Sequence, residues 1–127
     1  MRTGERMPAE MRRALAEVFG AAVDDVVLRE HSWFARLHGG VRATTRRNTI
    51  YLRGSLDEFF ADPELVLHEY FHVLKQWNRG RLSHWAYLRE WWRNGYWQNR
   101  YERQARRFVR MRSQKFARAL ARFRAAA

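Results

Sequence analysis

Residues 67–77 read LHEYFHVLKQW, so that His68 and His72 stand four apart and Glu69 directly follows the first histidine. This stretch is constrained to be a helix. Asp62 before Pro63 makes a good start, since an aspartate side chain accepts orphaned N–H groups and proline suits the first turn. Asn78-Arg79-Gly80 supplies the stop. At about 100° per residue, His68 and His72 fall about 40° apart, one turn above the other, with Glu69 at the edge of the same face. Val66, Leu67, Tyr70, Val73, Leu74 and Trp77 take the opposite side and read as core. A polar stripe is ordinary on an amphipathic helix. This one, however, has H-E-x-x-H form: two imidazoles can share one zinc ion while the glutamate reaches a zinc-activated water as general base.

The chain has no cysteine, so any metal must be held by histidine and carboxylate. A catalytic zinc usually takes three protein ligands and leaves a fourth position for water. Downstream candidates for the third ligand are His84, Glu90 and Glu102. A metzincin is excluded, because Lys75 and Asn78 stand where its glycine and third histidine would be. Glu102, in NRYERQAR, opens the last helix, and an antiparallel return would bring it beneath His68 and His72. Asn99 and Glu102 also have the spacing of a capping box, which would give the glutamate a purely local role. The ligand role is favoured because the metal otherwise lacks a third donor.

The remaining pattern is α+β. With 127 residues, 46% of them hydrophobic and six of them tryptophan, the chain can bury a core and is expected to form one domain over 1–127. MPAEMRRALAEVFG reads as an N-terminal helix, with Met11, Leu15, Val18 and Phe19 on one face and Gly20 as its stop. A short strand is expected around Val26 to Leu28, then a hairpin of Val41–Thr45 and Thr49–Leu52 about a turn at Arg46–Asn48. SHWAYLREWWRNG suggests a further helix from a Ser83 cap to Gly95, its aromatics packing against the histidine-bearing helix. A long C-terminal helix follows, with Tyr101, Ala105, Phe108, Phe116, Leu120 and Phe123 as its apolar stripe. Residues 110–127 read as an arginine-rich extension of it.

The stretches FGAAVDDVVLREHSWFARLHGGVRATTRRNTIYL, DPELVLHEYFHVLKQW and NRYERQAR resemble the zincin metallopeptidase domain associated with extracellular contractile injection systems, over roughly residues 8 to 110. That family has an FG…V opening, an A-T…I-Y hairpin and L-x-H-E-x-x-H-V-x-Q, where this chain has LHEYFHVLKQ. The resemblance implies a small zincin-like domain with Zn²⁺ bound by His68 and His72 and with Glu69 as the catalytic glutamate. It implies Glu102 as third ligand, by similarity to a YExEA stretch. Here that stretch is YERQA, so Gln104 replaces its second acidic residue and leaves a contact behind the ligands in doubt. The function implied is hydrolysis of peptide bonds in a peptide or protein substrate. Thr49–Leu52 is then a candidate edge strand for an extended peptide, and Tyr96, Tyr101, His84 and Arg103 are candidate oxyanion donors.

Net charge supports a rival. The balance of 25 Lys+Arg to 13 Asp+Glu gives +12, and lysine occurs only at Lys75 and Lys115. An arginine-coated helix suits nucleic acid, in which case the zinc site would be structural or silent, or the chain an accessory of the injection system. No helix-turn-helix, RNA-recognition or zinc-finger pattern accompanies it. Arg46-Arg47 fits a solvated turn or an acidic partner. The charged N-terminus lacks the apolar run of a signal peptide, and no stretch approaches the roughly 18 apolar residues of a membrane span. A cytoplasmic location is the expectation, and export by a specialised secretion system is compatible with it. Oligomeric state leaves no mark in the sequence.

Overall fold

A computed structural model describes residues 7–32, 43–46, 48–78, 86, 89–90, 92–95 and 99–126. Helix α1 (Ala9–Phe19) starts directly after Pro8 and buries Met11, Ala14 and Leu15, the i, i+3, i+4 pattern of one face. Gly20 ends it at φ 84°, a left-handed conformation that favours glycine, with its N–H on the Ala16 carbonyl. A 3₁₀ turn (Ala21–Asp25) leads into strand β1 (Val27–Arg29).

Strands β2 (Ala43–Arg46) and β3 (Thr49–Leu52) form the expected antiparallel hairpin, with Thr45 opposite Ile50. Asn48 takes the left-handed turn position at φ 59°, which asparagine tolerates better than most residues. Its N–H donates to Asn78 Oδ1 and its side-chain amide to the Asp25 carbonyl. One turn residue thus ties the hairpin to the end of the histidine-bearing helix and to the entry of β1. The sheet order is β1-β3-β2, with β1 parallel to β3. Strand β3 therefore lies in the middle, its backbone groups committed on both sides. The expectation that Thr49–Leu52 is an edge is overturned by this pairing.

Helix α2 (Leu56–Phe60) is short and not among the expected elements. Its signal is Ser55 three residues before Glu58: the Ser55 hydroxyl accepts from the Glu58 N–H. Helix α3 (Pro63–Phe71) begins as expected, with Asp62 Oδ1 accepting from the Leu65 N–H. From His72 to Trp77 the chain continues as a π-helix. The final helix α4 (Arg100–Ala126) is capped by Asn99, whose Oδ1 accepts from the Tyr101 and Glu102 N–H groups.

Helix α4 packs along both α1 and α3. Phe108 is the hinge of that packing, with its ring centroid 5.4 Å from Phe19 of α1 and 4.7 Å from Phe71 of α3. Beyond residue 110, Phe116, Ala119 and Leu120 are buried in the same core. Residues 89–90 and 92–95 are helical, in keeping with the expected third helix, although Trp92 is 85% exposed and so does not pack inward. The observed order of helix, small sheet and further helices is α+β, as the pattern predicts. Among the described residues no helix is long and apolar enough to cross a membrane.

Candidate metal centre

His68 and His72 lie one turn apart on α3 and its π continuation, and their rings meet edge to face with centroids 4.7 Å apart. Their Nε2 atoms are 3.1 Å from each other. Glu102 enters from the first turn of α4: its Oε1 is 2.6 Å from His72 Nε2 and 3.1 Å from His68 Nε2. The three residues form the one group among the described residues arranged to hold a metal ion. Ligand atoms about 2.0–2.1 Å from a tetrahedral zinc lie about 3.3 Å from one another, close to the separations between the Nε2 atoms and from His68 to Glu102. The donor set is three atoms, all nitrogen and oxygen. The residues present therefore fit a metal of the zinc type.

Three lone-pair atoms gathered on one point require a positive charge there. Without a metal, a proton on His72 supplies it. Burial alone would push the His72 imidazolium down in pKa. The Glu102 carboxylate outweighs this, with help from Glu69 and Gln76, and raises it to about 9. Burial likewise works to raise Glu102, but His72 and the hydrogen bonds from both histidines hold its carboxyl below the ordinary range. Glu69 is 6% exposed, and burial raises its pKa against the pull of the two histidines. His68, with 17% of its side chain exposed, marks the side on which the centre meets solvent.

Behind the ligands stands a residue that the helical-wheel reading passed over. Gln76 is 1% exposed, and its Oε1 lies 2.6 Å from His72 Nδ1. Its amide donates to the Tyr101 carbonyl at 3.0 Å and to Gln104 Oε1 at 2.9 Å. Gln104 thus offers the acceptor oxygen that an acidic residue would have offered, so its replacement leaves the contact intact. Gln76 is four residues after His72, the same i, i+4 spacing that joins His68 to His72, and that spacing is the signal for it. An i→i+5 ladder turns less per residue than an α-helix, so every residue after His72 falls out of the α phase. Gln76 nonetheless stays on the histidine face. Trp77, expected in the core, moves to a half-buried position where its Nε1–H donates to Thr45 Oγ1 of β2.

Other expected residues are placed elsewhere. Glu90 accepts from the Arg100 N–H and the Asn94 amide, outside the cluster. The Tyr101 hydroxyl accepts from Arg100, and Arg103 is exposed. His84, Tyr96 and Arg47 lie outside the described residues. Glu102 uses its backbone N–H for the Asn99 cap and its carboxylate for the histidines, so the two roles weighed for it coexist.

A family model described as the eCIS core domain matches residues 6–80, more than half of the chain. That span includes His68, Glu69, His72 and Gln76 and ends before Glu102. Neither the curated proteins nor the solved structures contain a match.

Proposed function

The chain belongs to the eCIS core domain family, the mark of an injection-system component, and from that premise we propose that it is a zinc-dependent peptidase of such a system. His68, His72 and Glu102 hold the metal, and Glu69 is the general base. The observation that supports this most is the convergence of His68 Nε2, His72 Nε2 and Glu102 Oε1 at 2.6–3.1 Å from parts of the chain 30 and 34 residues apart. A bound zinc would supply Lewis acidity and a water of lowered pKa. The chain's own part is to hold both imidazoles through Nε2, to keep Glu69 beside them and largely out of solvent, and to leave the His68 side open to a peptide.

Metal analysis of the purified chain beside His68→Ala and Glu102→Ala tests the site. One zinc per chain, lost in both variants, is expected. A wild-type protein that contains no zinc and takes none up would overturn the reading. Peptidase action adds a second requirement: cleavage of a peptide library that a chelator stops and zinc restores. Zinc binding without cleavage would leave an injection-system accessory with a silent metal centre.

The outer face of α4 supports a second reading. Arg103, Arg107, Arg110 and Arg118 are exposed and fall on one stripe of the helix, opposite the buried residues. Nucleic-acid binding through this stripe would weaken with salt, with a log–log slope of about −0.9 per phosphate neutralised on a duplex. Retention on DNA or RNA that ignores salt would exclude it.

A further inference from the structure

A buried primary amide carries two donors and an acceptor, and leaving any of them unanswered is costly. Gln76 has all of them answered, and on two different structures. Its Oε1 takes the His72 Nδ1 proton, while its Nε2 group clamps the Tyr101 carbonyl and Gln104 in the first turn of α4. From this geometry we infer that Gln76 is a positioning residue of the metal centre. It keeps the proton of His72 on Nδ1, so that the Nε2 lone pair faces the metal. The inference rests on the metal-site reading proposed above.

The two halves of the amide do separable work. Metal-ligating histidines depend on the acceptor behind them for tautomer, ring orientation and basicity. Only Oε1 of Gln76 serves that purpose. The donors serve the join between the π-helix and α4, which exists with or without a metal. No local pattern produces this join, since Gln76 and Tyr101 are 25 residues apart. The i, i+4 spacing from His72 sets Gln76 behind that ring, on the histidine face of the helix.

The test compares zinc dissociation constants, read by competition with a chromophoric chelator, for the full chain, Gln76→Met and Gln76→Glu. Thermal midpoints of the zinc-free proteins are measured alongside. Gln76→Met keeps the volume and removes every polar group. Gln76→Glu keeps the acceptor for His72 and removes the donors to Tyr101 and Gln104. A positioning role predicts zinc bound about 10–100-fold more weakly by Gln76→Met, affinity within about threefold of wild type in Gln76→Glu, and a lowered midpoint in both. Affinity that falls in both variants in step with the midpoint would make Gln76 a structural residue only and overturn the inference, as would unchanged affinity in Gln76→Met. Should Gln76→Met fail to fold, Gln76→Glu decides alone: retained affinity with a lowered midpoint supports the role, and lost affinity overturns it. A wild-type chain unable to bind zinc would sink the metal site itself, a different result from any of these.

Discussion

His72 Nε2 and Glu102 Oε1 lie 2.6 Å apart although 30 residues separate them in the chain. The contact joins the histidine-bearing helix to the first turn of the last helix, and it converts two histidines on one face into a three-donor centre. Its consequences can be measured one residue at a time.

Glu102→Ala removes one donor of three while leaving the Asn99 cap, which uses only the backbone of residue 102. Zinc affinity is expected to fall by about 100-fold or more, since each ligand carries a large share of the binding free energy. Competition against a chelator measures it. Unchanged affinity would return Glu102 to a capping role alone.

Glu69→Gln should leave the zinc content unchanged and stop turnover. The glutamine keeps the size of the side chain but cannot take a proton. If Glu69 is the base, the rate of peptide cleavage is expected to fall by about 10²–10⁴-fold. Equal loss of zinc and activity would mean that Glu69 holds the site together instead.

Stability of the zinc-free protein should fall as pH rises from neutrality. The His72 pKa is raised from 6.5 to about 9 in the folded chain, so its contribution is complete below about pH 6.5 and is lost as pH rises through about 9. Glu69, also raised, acts with the same sign. Glu102 is lowered from 4.5, so its contribution is present above about pH 4.5 and disappears in strong acid. Zinc competes with the His72 proton, and its binding should tighten over the range in which the zinc-free protein weakens. Urea midpoints at pH 6, 7.5 and 9, with zinc and with chelator, give both trends. A zinc-free midpoint that does not move with pH would show that His72 carries no extra proton in the folded state.

Phe116→Ala tests whether α4 is held by packing far from the candidate metal centre. Phe116 is 1% exposed, and truncating a buried phenylalanine costs about 3–5 kcal/mol. The site is about 20 Å along the helix from Glu102. Calorimetry should show a strongly lowered melting temperature, while the folded variant keeps its zinc dissociation constant. A variant that melts like wild type would mean that this end of α4 is not part of the core.

The local features were legible because each is written in a few neighbouring residues. Asp62 and Pro63 start α3, Gly20 stops α1, and the β-branched residues flanking Asn48 make a hairpin. Ser55 and Glu58 mark α2 on the same grounds. His68, Glu69 and His72 came from spacing alone, because a helix turns by a fixed angle per residue. An i→i+5 ladder after His72 changes that angle and places Trp77 at the rim instead of in the core.

The sequence by itself determined that a helix would carry two imidazoles and a carboxylate on one polar stripe, and that their partners would be nitrogen and oxygen donors in a cysteine-free α+β chain. Only the tertiary structure decided that Glu102, not Glu90, meets the histidines, that Gln104 completes the support behind Gln76, and that β3 is enclosed while β2 lies beside the histidine-bearing helix. The reason is physical. Periodicity and caps act over one or two turns, whereas the approach of α4 to α3 is set by Phe108 stacked between Phe19 and Phe71, a contact among three helices that no short stretch of the chain contains.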